Sequence, residues 1–73
     1  METRTVTQIS RLENSPSGNP RWRVVLADGT TVYTEDDSAL GYTIDTDWVG
    51  QAMRVAYEQR GAVNVLTAIE EQA

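Results

Sequence analysis

The dipeptide Asp28-Gly29, set between two short alternating runs, limits what this chain can fold into more than any other feature. A two-residue type I′ turn needs positive φ at both positions, which Asp-Gly tolerates, so the pair predicts a β-hairpin. In residues 21–27 (RWRVVLA), Trp22, Val24 and Leu26 face one way and Arg21, Arg23 and Val25 the other. Residues 30–35 (TTVYTE) supply the returning strand. The chain has 73 residues. That length suits one domain, residues 1–73, with a core of about a dozen apolar side chains. It contains neither Cys nor His, so neither a disulfide nor a structural zinc site is expected to brace that core. Self-association is a further source of stability open to such a chain.

Around the hairpin the sequence continues in strand and loop. Residues 3–12 (TRTVTQISRL) are rich in β-branched side chains. Their apolar members Val6, Ile9 and Leu12 fall three apart, which breaks strict alternation and predicts a bulge or bend. Residues 13–20 (ENSPSGNP) read as loop. In residues 36–46, Asp36 or Asp37 is expected to cap one helical turn through Leu40, with Gly41 stopping it. Residues 47–73 admit two readings. As a helix over residues 47–60, Asp47 is the N-cap, Val49, Ala52, Met53, Ala56 and Tyr57 form the apolar stripe, and Gly61 ends it. As a hairpin, Met53, Val55 and Tyr57 alternate, the chain turns at Gln59-Arg60-Gly61, and Val63, Val65, Thr67 and Ile69 alternate on the return. Gly50 would cost the helix about 1 kcal/mol, and the second apolar run needs a local partner, so the hairpin is preferred. The expected fold is all-β: a small five-stranded β-barrel, OB-like or SH3-like, with a short helical turn between strands 3 and 4. The alternative is α+β, a small antiparallel sheet covered by one helix.

Ser17-Gly18-Asn19-Pro20-Arg21-Trp22-Arg23, followed by the Asp-Gly hairpin and then Ser38-Ala39-Leu40-Gly41-Tyr42, resembles a group of small, uncharacterised proteins encoded by actinobacteriophages and their hosts. The resemblance spans roughly residues 12–43 and continues more weakly through Val49-Gly50-Gln51. It implies a phage accessory protein working in the cytoplasm of a bacterial host, with a Thr- and Val-rich hairpin in the last third. It implies no activity. The chain departs from that pattern where Ala, Met and Gln enrich its C-terminal third.

Eleven acidic residues against six basic ones give a net charge of −5, and every basic residue is Arg. That balance disfavours uniform attraction to phosphate and suits solubility, or docking on a basic partner. General acid–base catalysis most often uses His, which is missing. Ser10, Ser15, Ser17 and Ser38 have no evident activating base, and no phosphate loop of the GxxxxGK type occurs. Residues 45–50 (DTDWVG) begin like an EF-hand loop, but Val49 and Ala56 stand where metal ligands are required. No enzyme activity, cofactor or metal is expected. The polar start, Met1-Glu2-Thr3-Arg4, has no secretory apolar region, and no run is long enough to span a membrane. A cytoplasmic location is therefore expected.

The candidate binding surface comprises Arg21, Trp22, Arg23, Tyr33, Tyr42 and Trp48. Arg21 and Arg23 share a strand face, beside Tyr33 or Glu35 across the hairpin, and could clamp a single strand of nucleic acid. The competing reading puts Trp22 in the core and pairs the arginines with Glu35 or with Asp36 and Asp37. Tyr42 and Trp48 are either exposed anchors for a protein or plugs for the end of the barrel. The expected function is a protein–protein interaction module that binds or modulates a host protein. The alternatives are a single-stranded nucleic-acid-binding barrel, which the net charge disfavours, and a self-associating structural or assembly protein, a homo-oligomer.

Overall fold

The computed structural model describes residues 1–36 and 39–72. Five strands, β1 (Glu2–Arg11), β2 (Trp22–Leu26), β3 (Thr31–Thr34), β4 (Ala52–Arg60) and β5 (Val63–Glu71), form a closed all-β barrel. Two 3-10 turns, Ala39–Tyr42 and Thr46–Trp48, connect β3 to β4. The strands close in the order β1-β2-β3-β5-β4. All pairings are antiparallel except that of β3 with β5. This order, with its parallel seam, is that of the OB-type barrel rather than the SH3-like one. The helix over residues 47–60 is not formed, because residues 52–60 instead bond to β1 on one side and β5 on the other.

One long first strand serves two neighbours because it bends. Glu2 to Thr5 pair with β4, whereas Val6 to Arg11 pair with β2. The register shifts between Val6 and Gln8, leaving Thr7 as the extra residue. This is the irregularity that the three-residue apolar spacing predicts. It turns both Val6 and Ile9 toward the core, where strict alternation would separate them. Inside lie Val6, Val24, Leu26, Val32, Trp48, Met53, Val55, Leu66 and Ile69, with Ile9, Leu40, Ile44 and Tyr57 packed against them.

The turns depart from expectation in instructive ways. Gly29 alone has positive φ in the first hairpin. Its N–H donates to the Leu26 carbonyl, and the Leu26 N–H donates to the Thr30 carbonyl. Residues 27–29 thus form a three-residue loop in which glycine takes the left-handed position, not the two-residue type I′ turn. Gly41 does not stop the first 3-10 turn; it lies within it, buried, and that turn closes with the Thr43 N–H on the Leu40 carbonyl. Asp37 and Ser38, one proposed as a cap and the other part of the resemblance, lie outside the described residues. Asp45, not Asp47, caps the second turn, its Oδ1 accepting the Asp47 N–H at 2.8 Å. In the β4–β5 hairpin the register shifts at Thr67, so the simple alternation of Val63, Val65, Thr67 and Ile69 gives way. Leu66 and Ile69 face the core while Thr67 is exposed.

Candidate binding face

Of the residues singled out from the sequence, Trp22 and Arg23 lie on β2 and Tyr33 on β3, Arg21 just precedes β2, and Tyr42 and Trp48 end the two 3-10 turns. The ladders set Ser10 opposite Arg23, Arg23 opposite Tyr33, Tyr33 beside Val65 and Val65 opposite Glu58. This row crosses all five strands on the outside of the barrel, because its members alternate with the core residues Val24, Val32 and Leu66. Arg23 and Tyr33 are half-buried in it, and Val65 between Tyr33 and Glu58 is buried.

Charge compensation is uneven across the molecule. Arg4 pairs with Glu2 and Asp28, Arg54 with Glu70, and Arg60 with Glu35 and Glu58. The Arg21 Nε stands 3.0 Å from Asp36 Oδ1, close enough for an ion pair but out of line for a hydrogen bond. Among the described residues no carboxylate pairs with Arg11 or Arg23. Arg23 reaches Ser10 Oγ through Nη2 at a long 3.4 Å, and its buried Nε has no acceptor among the described residues. Arg11 donates to Asn14 Oδ1 and to the Leu12 carbonyl, and its guanidinium lies 5.2 Å from the centre of the Trp22 ring. A cation over an indole face is attracted by the ring quadrupole.

The six candidates therefore separate. Arg23 and Tyr33 stand together on the outer face, and Arg21 is engaged by Asp36. Trp22 points toward the barrel end, where its Nε1 donates to the Gly41 carbonyl at 2.8 Å and its backbone N–H donates to the buried Thr34 Oγ1. Trp48 is a core residue, 8% exposed, and its Nε1 donates to Glu71 Oε1. Tyr42 is 66% exposed, and its hydroxyl donates to Asn19 Oδ1 at 3.1 Å. Asn19 in turn donates to the Asp36 carbonyl, which ties the loop between β1 and β2 to the end of β3. Arg11 and Ser10 belong to this region but were not among the candidates. Their position follows only from the bulge at Thr7, which decides what faces Trp22 and Arg23 across the ladder.

No protein-family model, curated protein or solved structure matches the chain. Among the described residues no helix is long and apolar enough to cross a membrane.

Proposed function

We propose that the protein is a non-enzymatic interaction module, a phage accessory protein that binds a host protein through the outer face of β1, β2 and β3. One observation carries this reading: among the described residues the half-buried Arg23 guanidinium beside Tyr33 has no carboxylate partner, in a chain with a net charge of −5. A guanidinium that carries several N–H donors and no carboxylate leaves hydrogen-bonding capacity at its Nη groups that an incoming carboxylate or carbonyl would take up. Arg and Tyr are also the residue types that dominate binding hot spots. The expected partner surface is thus acidic or carbonyl-rich where it meets Arg23. The phage and cytoplasmic setting rests on the resemblance of residues 12–43.

A second reading is favoured by the strand order. OB-type barrels often bind single-stranded nucleic acid on the face of strands 2 and 3, here the face of Arg23 and Tyr33, where a base could stack. Among the described residues four of the six arginines have carboxylate partners, so phosphate attraction would rest on Arg11 and Arg23.

The deciding experiment compares tagged wild-type protein with Arg23→Ala and Tyr33→Ala in capture from actinobacterial lysate, with and without nuclease. A host protein retained after nuclease and lost with Arg23→Ala supports the interaction module. Capture that disappears with nuclease, and weakens steeply as salt rises, refutes it in favour of nucleic acid.

A further inference from the structure

The barrel is closed, yet one stretch of strand edge remains open. β1 covers β4 only from Ala52 to Val55, since Val55 is already opposite Glu2. Residues 56–60 pair with β5 on one side, and among the described residues no strand or loop backbone bonds to their other side. Arg60 and Val63 flank the two-residue loop Gly61-Ala62, in which Gly61 alone has positive φ. A pair closing such a turn exchanges both of its backbone hydrogen bonds. Alternation then turns the amide and carbonyl of Gln59, and of Tyr57 two residues earlier, away from β5. A cleft of about 350 Å³, lined by Met1, Glu2, Val55, Ala56 and Tyr57, marks the place where β1 gives out.

We propose that this edge pairs with the same edge of a second copy, antiparallel about a twofold axis through Gln59. The charges select both the occupant and the register. Edge strands are commonly blunted by charge, but Glu58 and Arg60 have opposite signs and stand two residues apart. With Gln59 on the axis, each Glu58 lies opposite Arg60 of the second copy, a favourable cross-strand pair made twice. The neighbouring register, with Glu58 on the axis, sets two carboxylates face to face and is disfavoured. In the selected register the loop Gly61-Ala62 of each copy comes up to Met1 of the other, at the mouth of the cleft. Met1 and Val63 are two of the large apolar residues left exposed, at 56% and 45%. The pairing is short, so the dimer forms only at high protein concentration. It uses the side of the barrel away from β2 and leaves the Arg23 face free.

Sedimentation equilibrium over a wide concentration range tests this, with the Tyr57 and Gln59 amides followed by hydrogen exchange. The expected result is a concentration-dependent dimer in which both amides become protected. Gln59→Pro removes a donor that points away from β5, so the hairpin ladder is kept while self-association weakens about tenfold or more. Arg60→Glu abolishes the dimer, and the double exchange Glu58→Arg with Arg60→Glu restores it. A monomer at every concentration overturns the proposal. So does a dimer indifferent to Gln59→Pro and Arg60→Glu, or protection of those amides only when an unrelated extended peptide is added.

Discussion

Gly41 sits where the first 3-10 turn crosses the loop between β1 and β2, and a Cβ there would stand 2.0 Å from the Pro20 carbonyl oxygen and 2.9 Å from its carbon. Ordinary contact begins at 3.4 Å, so Gly41→Ala forces one of two backbones to move by about 1.4 Å. Neither is free to do so. The Gly41 carbonyl accepts the Trp22 indole N–H, and the residues around Pro20 are bonded through Ser15 to Asn19 and through Leu12 to Arg21. Overpacking of this kind costs about 1–3 kcal/mol, and losing the indole hydrogen bond costs about 1 kcal/mol more. The expected destabilisation is about 2–4 kcal/mol, enough to lower Tm by about 10 °C or more. The sign is informative, because Gly41 lacks the positive φ that would itself penalise alanine. With free space, Gly→Ala would stabilise by about 0.4–1 kcal/mol through the unfolded chain. Urea unfolding followed by tryptophan fluorescence measures the difference. A variant as stable as the wild type, or more so, would refute the close approach.

Three further outcomes are expected. Leu66→Ala should cost about 2–5 kcal/mol in the same unfolding assay, and Val63→Ala no more than about 0.5 kcal/mol; equal costs would contradict the bulge at Thr67. The Asp28 carboxyl is held below its ordinary value of 3.8 by hydrogen bonds from Thr30 and then by Arg4. Its contribution is therefore present above that value and lost as pH falls through the depressed one. The stability advantage of wild type over Asp28→Asn should shrink in acid, and a pH-independent difference would contradict the assignment. Arg11→Ala removes the cation over Trp22 at an exposed site, so about 0.5–1 kcal/mol should be lost, accompanied by a change in tryptophan emission. An unchanged emission spectrum would show that the stacking does not persist in solution.

The first hairpin was legible because Trp22, Val24, Leu26 and Val32 recur every second residue on either side of a turn signal. Its turn type was not, since Asp-Gly suits both a two-residue and a three-residue loop. Which one forms depends on where Leu26 meets Thr30 across the strands. The last third was ambiguous for a related reason. Met53 and Tyr57 satisfy a helical period with Ala56 as well as a strand period with Val55, and the choice is made by pairing with β1, some fifty residues away. At the candidate face, the sequence left the arginines beside either Tyr33 or Glu35, and the three-residue loop sets the register that puts Arg23 opposite Tyr33. Arg11 escaped notice because one extra residue in β1 sets its position. Tyr42 and Trp48 look alike as aromatics flanking an acidic connection. The Asp45-capped turn carries Trp48 into the core, however, while Tyr42 is held at the rim by Asn19.

The strand order also bears on how the chain reaches this state. β5 is made last, yet it lies between β3 and β4, so during synthesis these two strands wait with their facing edges unpaired. The β1-β2-β3 meander can assemble early through local contacts, but the barrel cannot close until residues 63–71 have emerged. Val32, Tyr33 and Thr34 must then find Asn64, Val65 and Leu66 across thirty-two residues of chain. Non-local parallel pairing of this sort slows folding. It makes insertion of the final strand the step that commits the chain, and leaves the half-built sheet most exposed to mispairing just before that step.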